Sequence, residues 1–437
     1  MVAKVAKIVR IFAIIVVSII LLNLILFIGF SLPAVQKMAA NVALDKVGPL
    51  IGTKVDLEKI RIRLFNTVEL EGIYAEDQQQ DTLLYVGKIA VRIHALDLLR
   101  NKVTVQKAGI ENLTANVHRA SPEDPFNFQF IIDAFAKEDT IQVEEEKKPW
   151  RITANEVILK NLNLRYNILS APETPGAFNV SHIDVEDFNF RGKVDFLSME
   201  DMRAEVNHLN LLEKNAGLVL NNLKARMKGD GSLLSSDGVT VALNGSRIEV
   251  KDAAYDLESK EFSLTAESNQ IDPRDIHIFV PRFSHLDKLI TFDVDAEGTL
   301  PRAELNSLTF RYGSDTELVA SGSITDYSDF NNSELHLNLQ RLSVSQEDLE
   351  ALIRVGPPDF EAPEQLLAMG DLNLRLKADG QLKEFLYDGA IDTEQGDVTL
   401  KGTGRIGNEF KSFRFEGPVT ANQINLPQIM GEDAGIG

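Results

Sequence analysis

The chain contains no cysteine, which excludes disulfide staples and thiolate metal sites while leaving the compartment open. It has seven histidines in 437 residues, and none of them falls into an H-x-x-x-H or H-E-x-x-H spacing. His277 and His285, near Asp275 and Asp287, therefore read as solvated or core histidines rather than metal ligands. Cations are scarce beside acids, with 45 Lys and Arg against 65 Asp and Glu and a net charge of -20. Phosphate neutralisation needs clustered Lys and Arg, so a nucleic-acid partner is set aside. The same charge repels an anionic membrane surface from the body of the chain. No G-x-S-x-G elbow and no P-loop occurs. Gly402 to Gly407 fits G-x-G-x-x-G, but a dinucleotide site must open a helix after a strand, and Phe410, Phe413 and Phe415 predict another strand. Glu144, Glu145 and Glu146 beside Lys147 and Lys148 form a solvated connection, and Trp150, the one tryptophan, is expected to pack at a strand start. No catalytic, cofactor or metal residue is assigned, and the chain is read as a non-enzyme.

What is abundant is apolar sequence, 44% of the chain, and its first block is continuous. Residues 11 to 30, including Ile11, Phe12, Ile20, Leu24, Phe27 and Phe30, are broken only by Ser18, Asn23 and Gly29. At helical rise this block is long enough to cross a hydrocarbon core of about 30 Å. It exceeds the apolar core of roughly 7 to 15 residues in a cleaved signal peptide, the rival reading that Ala34, Ala39 and Ala40 support. Lys4, Lys7 and Arg10 precede it without an acid, which predicts a cytoplasmic amino terminus and a body on the far side of the membrane. A bacterial inner membrane, crossed once, with the body in the periplasm, fits, and so do several other compartments.

Residues 33–50 predict an amphipathic helix, opened by Pro33 and stopped at Gly48-Pro49. From Thr53 onward the apolar period changes from about 3.6 to 2. Val55, Leu57, Ile60, Ile62 and Leu64 share a face if one residue bulges near Glu58-Lys59. Ile89, Val91 and Ile93 repeat the pattern, as do Leu162, Leu164, Tyr166 and Ile168; Phe262 and Leu264; Phe292 and Val294; Leu308 and Phe310; Leu335, Leu337 and Leu339; and Leu372, Leu374 and Leu376. Short helices are predicted at Phe128 to Ala136 and at Ser345 to Arg354, the second with Ser345 and Asp348 as a partial capping box. Ala171 to Gly176 is a loop. The expected fold is mostly β, an antiparallel meander. The length suits two or three domains, divided here as 1–32, 33–50, 51–145, 150–290 and 291–437.

Ala296-Glu297-Gly298-Thr299-Leu300 recurs as Ala378-Asp379-Gly380-Gln381-Leu382, and Gly322 and Ile324 recur as Gly404 and Ile406 at the same separation. A repeated strand unit implies an elongated body, and the last copy stops without its predecessor's helix, as if truncated. The apolar faces have two readings. They pack against a second sheet or inside a barrel, or they line an open trough that carries apolar cargo. Periodicity leaves both open.

The apolar block, Leu32-Pro33-Ala34-Val35-Gln36, Gly52-Thr53-Lys54-Val55, Leu64-Phe65-Asn66, Val68 to Ile73 and Asp81-Thr82-Leu83-Leu84 resemble the amino-terminal part of the TamB family, within the wider AsmA-like group. Asp124-Pro125-Phe126-Asn127-Phe128-Gln129-Phe130 and Pro172 to Asn179 resemble its Bacteroidetes branch. The resemblance implies a long, twisted sheet curled into a taco-like groove that conducts phospholipids toward the outer membrane. It also implies a TamA-like outer-membrane barrel as partner, through a carboxy-terminal region that this sequence lacks, and it carries over no catalytic residue. An assembly factor for outer-membrane barrels, acting by strand addition, is the alternative.

Overall fold

Val, Ile, Leu and Phe alternating with Lys, Asp and Asn suit a pleated surface whose two sides meet different surroundings. The computed structural model describes residues 33–63, 67–93, 102–136, 151–198, 201–299, 301–326, 333–355, 364–407 and 412–425, and these are mostly strand. The apolar block at 11–30, Leu64, Glu144 to Lys148 and Trp150 lie outside them. No helix among the described residues is long and apolar enough to cross a membrane.

In chain order the elements are α1 (Pro33–Ile51), β1 (Val55–Arg63), β2 (Thr67–Glu76), β3 (Thr82–Ile93), β4 (Lys102–Arg119), α2 (Gln129–Ala136), β5 (Arg151–Ile168), β6 (His182–Ser198), β7 (Asp201–Glu213), β8 (Leu218–Asp230), β9 (Leu233–Leu243), β10 (Arg247–Asp256) and β11 (Phe262–Ile271). Then come α3 (Pro273–Ile276), a 3-10 turn (Pro281–His285), β12 (Ile290–Thr299), β13 (Arg302–Tyr312), β14 (Thr316–Thr325), β15 (Glu334–Val344), α4 (Gln346–Val355), α5 (Glu364–Leu367), β16 (Leu372–Gln381), β17 (Glu384–Thr393), β18 (Gly396–Gly407), β19 (Ser412–Glu416) and β20 (Val419–Asn422). The chain divides into two units, residues 1–197 with 204–217, and residues 198–203 with 218–437.

In the first unit β1 to β6 pair in sequence order. The expected all-antiparallel meander fails at one place, where β4 and β5 run parallel, Val103 opposite Ile152 through Arg119 opposite Ile168. A parallel pair needs a crossover of a dozen residues or more, and residues 120 to 150, which include α2, supply it. The expected stop at Gly48-Pro49 also fails. Helix α1 runs through both to Ile51, with the Gly52 amide donating to the Gly48 carbonyl; only the Pro49 donor is lost.

The expected one-sided bulge near Glu58-Lys59 is absent, since β1 and β2 keep one register from Val55 to Arg63. The apolar set does change parity there, but so do β2 to β5 at the same level. Glu58, Gly72, Gly87, Asn112 and Asn161 fall at one level across β1 to β5, and apolar residues resume one position late beyond each. Gly72, Asn112 and Asn161, with Asp187 in β6, adopt φ of 66, 57, 55 and 50°. A left-handed residue turns the chain out of the two-residue alternation, and Gly, Asn and Asp are the types that tolerate it. From β1 to β5 the strands crease at one level and no register is lost, whereas β6 shifts against β5 there. Across β1 to β5 the rows on both sides stay apolar: Leu57, Ile73, Val86, Leu113 and Leu162 on one, Ile60, Leu70, Ile89, Ile110 and Leu159 on the other. On the surface of the crease the Asn161 side-chain amide donates to Asn112 Oδ1 at 2.7 Å, and the Asn161 backbone amide donates to Asn189 Oδ1 at 3.0 Å.

In the second unit β8 to β18 form an antiparallel ladder in sequence order, with β19 and β20 both on the far side of β18. Among the described residues no ladder joins the first strand of either unit to its last, so both sheets are open. The sequence repeat is a structural one: β12, β13 and β14 correspond to β16, β17 and β18, with Gly298 and Gly380 near the ends of β12 and β16. One packed core lies at a single strand end of this unit, where the insertions after β11 and β15 meet. Ile271, Leu286, Ile290 and Tyr312 are buried there against Phe283, Ala351, Leu352 and Val355. Ser345 caps α4 as expected, accepting from the Asp348 amide at 3.3 Å. The Asp348 carboxylate, expected to close the box, instead accepts from Thr316 Oγ1 at 2.7 Å and Lys288 Nζ at 2.5 Å and is 1% exposed. That bond to Asp348 is the main cause holding the Lys288 ammonium above its ordinary pKa.

Candidate functional site

The feature the sheet of the second unit builds is a continuous apolar surface. Register places Ala266, Val294, Leu308, Ala320, Leu339, Leu376, Gly389 and Leu400 in one row across β11 to β18. A second row runs Phe292, Phe310, Leu318, Leu342, Leu374, Ile391 and Val398, and a third runs Leu264, Ala296, Leu305, Gly322, Leu337, Ala378 and Tyr387. Bulges at Asn306-Ser307 and Gln340-Arg341 keep Leu308 and Leu342 on this side. No charged residue occupies the face from β11 to β18 among the described residues.

The opposite face carries the charge. Arg311 and Arg341 hold Glu317 between them at 2.7 and 2.8 Å, and their hydrogen bonds, Arg341 first, keep its carboxyl below the usual range. Lys401 meets Asp388 at 3.0 Å, Arg405 meets Glu384 at 3.1 Å, and Arg375 lies 3.8 Å from Asp392. Such exposed pairs add little stability, but they fix which side faces water. In the first unit Arg61 likewise bridges to Glu71 at 3.0 Å, with Glu69 at 4.0 Å.

Exposure separates the two readings of the apolar face. Leu162, Ile168, Leu339 and Leu372 are buried. The other predicted lining residues that are described, from Val55, Leu57 and Ile60 to Leu335, Leu337, Leu374 and Leu376, are half-buried. Ile62 is placed by its register opposite Val68. A face sandwiched against a second sheet is removed from water along its length, and this one is not. Two stretches are filled. Phe292 and Phe310 pack into the helical core at the strand end. Farther along, Ala378, Phe385 and Tyr387 are buried among Leu335, Leu337, Leu376 and Leu400, and the Tyr387 ring meets Phe415 edge-on with centroids 5.3 Å apart. The Phe385 ring lies over Gly404, where an added Cβ would stand 2.4 Å from its ring carbon, so only glycine fits beneath it. Phe385, Tyr387 and Phe415 were not among the predicted lining residues; glycines opposite aromatics on paired strands are the signal that marks them.

The G-x-G-x-x-G run lies inside β18 and is followed by β19, as Phe413 and Phe415 predict. Glycine here serves strand packing and opens no helix. Among the described residues no cluster of His, Asp or Glu is arranged to hold a metal ion; His277 Nδ1 is bonded to the Arg274 carbonyl. No family model matches the chain, and neither a curated protein nor a solved structure matches it.

Proposed function

We propose that the chain is a membrane-anchored conduit for phospholipids. The apolar face accepts acyl chains while head groups stay in water at its margin. The observation that carries this reading is the uncharged, in-register and half-exposed apolar surface of β11 to β18, backed by an ion-paired outer face. Leaving Leu308 and Leu374 partly in water, with Leu337 and Leu376 only partly covered by Ala378, Phe385 and Tyr387, is unfavourable unless something apolar covers them. An acyl chain does so at about 0.8 kcal/mol per CH₂ removed from water, and movement along the face needs no specific contact. In this reading the finer fold is a curled, taco-like groove, residues 11–30 hold it in a bacterial inner membrane, and the body lies in the periplasm, reaching toward an outer-membrane barrel partner of the TamA type. The resemblance of the sequence to the TamB family supports the same reading.

Photo-crosslinking side chains placed at Leu308, Leu337 and Leu374, with His336, Asn373 and Lys377 as outer-face controls, test it. Phospholipid captured only from the first three is the expected result. Unfolded barrel protein captured instead points to the assembly role, and capture from neither set overturns both.

A further inference from the structure

Resting on the reading of residues 11–30 as an anchor, we propose that α1 lies on the membrane surface as the foot of the first unit, with Met38 and Val42 in contact with lipid. The first argument is charge. The chain holds 65 Asp and Glu, and none of them precedes Asp45. An acidic body is repelled by anionic head groups, so contact with lipid is expected next to the anchor, where the chain carries no acid. The described part of that segment is Pro33 to Leu44, the first three turns of α1.

The second argument is exposure. Met38 is 68% exposed and Val42 is 50% exposed, whereas Ala40 between them is 1% exposed. At about 100° per residue Met38 and Val42 share a side and Ala40 faces the opposite one. The helix therefore packs on β1 through the Ala40 side and turns two large apolar groups outward. Lys37 and Asn41 flank them, exposed and without negative charge, and exposed Asp45 follows one turn beyond Val42, at the end of this side. Helix α2, which touches α1, also exposes an apolar side chain, Ile132 at 51%.

The third argument is reach. Phe30 ends the apolar block three residues before Pro33, about 10 Å of chain even when extended, and Pro33 to Met38 adds about 8 Å at helical rise. Met38 thus stays close to the point where the chain leaves the hydrocarbon, and Val42 follows one turn later. A helix lying along the head groups keeps both in lipid, as interfacial helices do. It also sets β1, the first strand of the sheet, beside the bilayer.

The absence of native cysteine allows single-cysteine variants of the full chain without a competing thiol. Met38→Cys, Val42→Cys, Ser259→Cys and Ile20→Cys, each carrying an environment-sensitive fluorophore, are reconstituted in phosphatidylethanolamine–phosphatidylglycerol vesicles. Quencher is carried either at the head group or deep in the acyl chain. The expected result is loss of emission at 38 and 42 with the head-group quencher, loss at 20 with the deep one, and none at 259. Unquenched labels at 38 and 42 beside a quenched label at 20 overturn the interfacial helix and leave the anchor standing. An unquenched label at 20 overturns the anchor on which it rests, and quenching at 259 as well assigns the contact to the body instead of α1.

Discussion

Leu374→Asp separates an open apolar face from ordinary core. Leu374 faces Leu342 across one ladder and Ile391 across the other, and it is half-buried. Full burial of a leucine side chain contributes about 1.5 to 3 kcal/mol; Leu374 is partly exposed, so most of the lower figure, about 1 to 1.5 kcal/mol, is lost when the side chain is replaced. The aspartate retains access to water, which limits its own penalty. The expected destabilisation is about 1 to 2 kcal/mol. Leu339, at 9% exposure and on the same face, is the contrast. Truncating a buried leucine costs about 2 to 5 kcal/mol, and a buried unpaired carboxylate adds to it. Urea unfolding of both variants, read by circular dichroism, gives the comparison. Equal and large losses would refute the reasoning, because Leu374 would then be core. A folded Leu374→Asp protein that still captures lipid at Leu337 as well as the parent does would also refute it, because charge in the path would then be harmless.

Asp348→Ala removes the acceptor for Thr316 and Lys288 from a site that is 1% exposed. It is expected to cost about 3 kcal/mol, against little for exposed Glu347→Ala, by the same unfolding assay. Gly72→Val places a branched side chain at φ 66°, with Cβ 2.3 Å from Glu58 Cγ, and is expected to cost about 2 kcal/mol or more, whereas Asn161→Gly is expected to be close to neutral; reversed costs would remove the crease from the account. The Asp256 carboxyl, accepting first from the Ser232 hydroxyl and then from the Ser259 and Glu258 amides, is held down at about 2. A depressed carboxylate contributes stability above its unfolded pKa and loses it as pH falls through the folded one. The hairpin at 256–261 is therefore expected to hold to pH 4 and loosen toward 2, by NMR titration of its amides; an ordinary midpoint near 4 would contradict this.

Much of the fold was legible because sheet faces with different surroundings force the two-residue period. That period located the apolar face, and the helices at 129–136 and 346–355 were announced by Pro125 and by Ser345 with Asp348. Direction of pairing was not legible: β4 and β5 each read as ordinary strands, and only their register shows them parallel. The crease was half-legible. The parity change in Val55, Leu57, Ile60 and Ile62 was visible, but one strand alone reads as a bulge, and only the pairing aligns Glu58 with Gly72, Gly87 and Asn112. The return half of the capping box failed for a similar reason, since Lys288 is remote in sequence from Asp348 yet adjacent in space. Among the lining residues, Leu337 and Leu339 look identical in sequence, and burial distinguishes them.

The central claim is that the apolar face is an open surface for acyl chains, and the most direct measurement is native mass spectrometry of the full chain extracted from membranes in mild detergent. The account predicts phospholipid adducts on the parent protein and their loss in a folded Leu337→Asp, Leu374→Asp double variant. A parent protein free of lipid, or a double variant that keeps all of it, would contradict the account.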